Sequence, residues 1–167
     1  MIHCSGCACA GRCFLFLKTF QMMNAALAAR IGAVAYVLWG GLHLFAGIAL
    51  VFSAHSDING FLAGMATAME PGAVPQLAEG TVVSGVGAFH SFNLAWLGAF
   101  VVVVALRWNW RNALAGFWVN AVLVGMVDLG LILFLQVPGY MAWADGIPGP
   151  VLYVVALVFS AIAVRKV

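Results

Sequence analysis

The chain has 167 residues, 65% hydrophobic and only 7% charged, with a net charge of +2 and a mean hydropathy of +1.10. A soluble domain carries roughly 25% charged residues, and a fold of this size has too little interior to hide so much apolar surface. The membrane is the solvent that remains, and so small a charge argues against nucleic acid as a partner.

Residues 1–22 hold all four cysteines, Cys4, Cys7, Cys9 and Cys13, in the spacing C-x2-C-x-C-x3-C. In a reducing compartment such a cluster can bind Zn or Cu(I) as thiolates, although the spacing matches no zinc ribbon. The segment reads as a disordered tail, or as an extension ahead of a start at Met22 or Met23. Residues 23–167 form the membrane domain.

A helix needs about 20 apolar residues to span a bilayer, and four segments qualify: 31–52, 82–106, 113–137 and 147–164. The first is too long for the apolar core of a secretory signal, about 7–15 residues, so a retained span is expected. It contains His43, flanked on one helical face by Gly40 and Gly47. Small residues at that spacing let a second backbone come close.

In the loop 53–81, Ile58, Phe61, Leu62, Met65 and Met69 recur at helical spacing. Ser56 or Asp57 can cap the start, and Glu70-Pro71-Gly72 can stop it. The pattern predicts a short interfacial helix. Span two carries His90, Ser91 and Asn93 near its middle. The basic, aromatic turn 107–112 forces spans two and three into a hairpin. Span three holds Asn120 and Asp128. Span four opens with Pro148 and Pro150, tolerable in a first turn, and its only polar side chains are Tyr153 and Ser160. It is expected to face lipid or a partner rather than a site.

The charges orient the whole. Arg12, Lys18 and Arg30 precede span one, Arg107 and Arg111 lie between spans two and three, and Arg165 and Lys166 follow span four. All seven basic residues fall on one side of the membrane, which the positive-inside rule makes cytoplasmic for both termini. The expectation is an all-α, four-helix transmembrane bundle in the cytoplasmic (inner) membrane. This layout is similar to that of small four-span bacterial membrane proteins such as the DoxX-like group. The likeness implies architecture alone.

At a rise of about 1.5 Å per residue, His43 falls roughly 2 Å, His90 roughly 6 Å and Asp128 roughly 4–5 Å to the outer side of the midplane. Each has a glycine three residues earlier, at 40, 87 and 125, and Asn93 lies one turn below His90. Polar groups at that depth are costly and need partners. The sequence therefore predicts a buried cluster of His43, His90, Asn93 and Asp128.

Four uses of such a cluster follow. It can be structural. His43 and His90 can be axial ligands of a b-type haem. Two histidines and a carboxylate can hold a transition metal. An Asp–His pair can handle protons, as in a proton-coupled small transporter, or bind a quinone or other lipophilic ligand. The leading expectation is a membrane-complex subunit or lipophilic-ligand-binding protein rather than a free-standing enzyme. Its partners would be lipid, other membrane subunits or further copies of itself.

Overall fold

No proline occurs before residue 71, and the first third of the chain is rich in strong helix formers. Nothing there breaks a helix. In the computed structural model, which describes residues 6–165 except 71 and 79, with side chains from residue 25 onward, α1 runs without interruption over Gly6–Ser56. The cysteine side chains lie outside the described residues, and with them the thiolate metal site. α2 (Ile58–Met65), α3 (Val82–Arg107), α4 (Leu114–Leu131), α5 (Trp143–Gly146) and α6 (Pro148–Val164) follow, with no strand among the described residues.

Three helical stretches are long and apolar enough to cross a membrane: Ala25–Ser56, Val82–Arg111 and Leu114–Gln136. α6 is apolar but shorter, at 17 residues, about 25 Å long. This is consistent with a small membrane protein. α6 starts with Pro148 in its first turn, where the missing N–H costs nothing. α4 does not run straight to its expected end. Pro138 has no N–H to donate to the carbonyl four residues back. The chain loosens there into a π turn over Ile132–Gln136, with Val137 N–H donating to Ile132 O at 2.8 Å.

The distribution of side chains is inverted relative to a water-soluble fold. Large apolar groups point outward, with Phe45 73% and Phe134 72% exposed, while Ala29, Ala33, Ala95, Ala105, Ala156 and Ala163 are buried. In hydrocarbon no hydrophobic force pushes helices together. Close van der Waals packing does the work, and small residues allow it. α1 is the central element, packed most extensively on α3 and next on α6. A Cβ on Gly40 would lie 2.6 Å from Gly98 O, and one on Gly47 would lie 2.5 Å from Ala95 N. The two backbones are therefore in direct contact at both glycines.

The turn between α3 and α4 is locked by its asparagines. Asn112 takes the left-handed conformation, φ 57°, which Asn tolerates better than most residues. Its Nδ2 donates to Ala163 O at 3.1 Å, satisfying a terminal carbonyl of α6. Asn120 Nδ2 donates to Asn109 Oδ1 at 3.0 Å. The Arg30 guanidinium lies 5.7 Å from the Trp110 ring centroid. These contacts gather Arg30, the Arg107–Arg111 turn and the end of α6 at one end of the molecule.

At the other end, Asp57 caps α2, accepting from Gly60 N–H at 2.8 Å. The helix stops at Met65, one turn short of the pattern that reached Met69. Buried Ile58 and Phe61 pack on Ala54 of α1 and Ala88 of α3.

Gly98→Leu is expected to pry α1 from α3 and cost about 1–3 kcal/mol or more, read as a lower Tm in detergent. Gly41→Ala, where nothing lies within 4 Å of the added Cβ, should leave Tm unchanged or raise it.

Candidate functional site

Two buried stripes create the site. On α4, Asn120, Val124 and Asp128 recur every fourth residue and are all buried, so one face of an otherwise apolar helix turns inward. On α1, Tyr36 and Trp39 are fully buried, and His43 stands one turn further on the same face. The stripes meet where Trp39 Nε1–H reaches the Asp128 carboxylate. The indole forks, 3.1 Å from Oδ1 and 3.3 Å from Oδ2. Asp128 is 3% exposed, and among the described residues Trp39 is the one hydrogen-bond donor its carboxylate has.

His43 lies flat on Trp39, ring centroids 3.7 Å apart and planes 18° from parallel. Its Nδ1 is 2.8 Å from Trp39 O. A carbonyl can only accept, so Nδ1 carries the proton, and in the neutral form of the ring Nε2 presents a lone pair. The ring is half-buried, so the cluster grades from an open imidazole to a sealed carboxylate.

The third wall comes from α6. A Cβ on Gly149 would lie 3.2 Å from Asp128 Oδ1, 3.5 Å from Trp39 Nε1 and 3.5 Å from His43 Cε1. Glycine here lets the α6 backbone close on all three groups, where a methyl would press on the carboxylate. Nearby, Tyr153 Oη donates to Ala121 O at 2.9 Å, while buried Tyr36 Oη has no partner among the described residues.

The structure thus brings His43 and Asp128 together and leaves His90 and Asn93 elsewhere. His90 is exposed on the outward face of α3. Asn93 donates to Phe89 O at 3.0 Å and accepts from Trp96 Nε1 at 2.9 Å, both within α3. The three glycines noted before His43, His90 and Asp128 face different partners: Gly40 meets Gly98, Gly87 meets Phe61 and Gly125 meets Tyr153.

A haem macrocycle does not fit between His43 and His90. The α1–α3 interface on both sides of His43 is closed by backbone contact at Gly40 and Gly47, and His90 points away from it. Among the described residues no group of three or more His, Cys, Asp or Glu side chains stands together as a metal site would require.

Sequence reasoning missed Trp39, Gly149 and Gln136. Trp39 lies beside the glycines in an apolar run and carries no polar signal of its own. Gly149 sits between two prolines and has no side chain to signal a site. Gln136 is turned inward by the π turn and is 2% exposed. The inward stripe on α4 was the available signal, since it places Asn120 and Asp128 on one face. Compared with protein-family models, curated proteins and solved structures, the chain shows no significant match to any of them.

Trp39→Phe removes the one donor to a buried carboxylate and is expected to cost about 1–3 kcal/mol. Asp128→Asn, which can still accept from the indole, should cost less. A double-mutant cycle on the pair, followed by thermal unfolding in detergent, should give a coupling energy of about 0.5–3 kcal/mol. Additive losses would mean the hydrogen bond contributes nothing.

Proposed function

We propose that the protein is an integral inner-membrane protein of four spans, with α6 as the fourth and both termini cytoplasmic. In this reading α2 lies at the outer interface, and the Trp39–His43–Asp128 cluster binds the head group of a lipophilic ligand entering from the bilayer. The observation that carries the reading is the half-buried His43 imidazole beside the sealed Trp39–Asp128 pair. Spare hydrogen-bonding capacity supports it: Asp128 has one forked partner and Tyr36 Oη has none. A hydroxyl or carbonyl head group, such as that of a quinone, has the matching chemistry. The half-buried His43 gives the ligand its way in, since polar groups at this depth mark ligand paths more often than inert packing.

The subunit role rests on α3. His90 is exposed and Asn93 partly so, within a helix of membrane-spanning length. Hydrocarbon offers such groups no partner, so a second copy or another membrane subunit would cover that face.

Extraction in mild detergent and mass spectrometry of bound lipophiles tests the ligand. A species bound to the wild type should fall about tenfold in Gly149→Ala, where the methyl crowds Asp128 Oδ1, and in Asp128→Asn, with Tm little changed in the former. Identical profiles in all three proteins would sink the assignment. For the topology, a fluorescent protein fused after Val167 should fold and fluoresce, and alkaline phosphatase fused at Gly139 should be active. The opposite pattern would invert the orientation.

A further inference from the structure

At the end of the molecule opposite the arginines, the two longer loops close around an apolar groove of about 340 Å3. Leu62 and Met65 of α2, Leu77 of the following loop, Val83 and Leu135 from the ends of the membrane-length helices, and Tyr140 line it. Among the described residues its surface is almost wholly apolar. The site described above does not use any of these residues.

The groove is held open by specific hydrogen bonds. The Asn59 amide grips the backbone of Leu77 on both sides, Nδ2 donating to Leu77 O at 3.0 Å and Oδ1 accepting from Leu77 N–H at 2.8 Å. A second pair ties the first loop to the other one. Ala68 N–H donates to Tyr140 O at 3.0 Å, and Ala142 N–H donates to Thr67 Oγ1 at 3.0 Å. A side-chain amide satisfying both backbone groups of one loop residue fixes that loop without needing anything inside the groove.

What fills it follows from its surroundings. Water needs two to four polar partners, and these walls offer almost none. An empty groove would leave the lining atoms without contacts on one side. Val83 is 40% exposed, so the groove is continuous with the outward apolar belt, and hydrocarbon is the neighbouring phase. The volume stands at the low end of small-molecule sites, about 300–1,000 Å3, room for one chain but not for a whole lipid. Met65 adds a flexible side chain that adapts to such an occupant.

We propose that this groove binds a single alkyl chain of an amphiphile drawn from the adjacent leaflet. The inference rests on the membrane reading and is independent of the Asp128 site.

The probe is a diazirine-bearing fatty acid present in trace amount in phosphatidylcholine nanodiscs holding the purified full-length chain. After irradiation, peptide mass spectrometry locates the adducts. Labelling at residues 62–77 and 135–140 is expected to exceed that at the lipid-facing Phe45 and Phe92 by about tenfold. Leu77→Trp should bring it down to that background, Asp128→Asn should leave it unchanged, and excess unlabelled decanoate should suppress it while sparing the belt. Equal labelling of groove and belt overturns the proposal. So does groove labelling that decanoate fails to displace, a readout that stands even if Leu77→Trp does not fold. Loss of groove labelling in a folded Asp128→Asn protein overturns the independence of the two sites. Absence of label from the belt as well would refute the membrane reading itself.

Discussion

Two glycines set the frame of this protein. Gly40 on α1 and Gly98 on α3 bring backbone against backbone, and Gly47 repeats the contact two turns along α1 against Ala95 and Ser91. Apolar surroundings give helices no hydrophobic reason to associate, so the contact must be won by close packing. α1 then has α3 on one side and α6 on another. Every polar group described above is placed relative to that pair of seams.

The seam also decides which polar residues can meet. By fixing the rotation of α3 it sends Ser91 and Ala95 toward α1 and leaves His90 outside. The carboxylate of Asp128 is met instead by an indole from α1, which has one donor and no charge to give. A partner of that kind holds a carboxyl in place and leaves most of its accepting capacity open. The imidazole of His43 is fixed by its own backbone bond and by stacking, so its free nitrogen is oriented without being consumed. Such an arrangement is ordered and leaves hydrogen-bonding capacity unused.

The opposite end of the molecule obeys a different rule. There the chain is loop and short helix, and order comes from side-chain amides and hydroxyls acting on backbone groups. Asn59, Thr67 and Asp57 each satisfy donors or acceptors that a regular helix would have paired internally. At the basic end Asn112 likewise donates to a backbone carbonyl, while Asn120 donates to the side chain of Asn109. Asn59 can hold both backbone groups of Leu77 because one side chain carries both a donor and an acceptor.

The sequence by itself determined the helical, apolar character of the chain, the positions of the three later long segments to within a few residues, a cap at Ser56 or Asp57 and the gathering of basic residues at one end. Those properties are local: they depend on composition, on runs of apolar residues and on the chemistry of a single turn. It also marked His43 and Asp128 as costly groups at similar depth, because depth follows from counting residues along a helix. Only the tertiary structure decided which of the costly groups touch. Contact depends on how each helix is rotated about its axis, and in a helix apolar on nearly every side the pattern of residues leaves that rotation undetermined. Rotation was settled by where glycines permit close approach, and so Trp39 and Gly149, which carry no signal of their own, stand beside Asp128 while His90 does not.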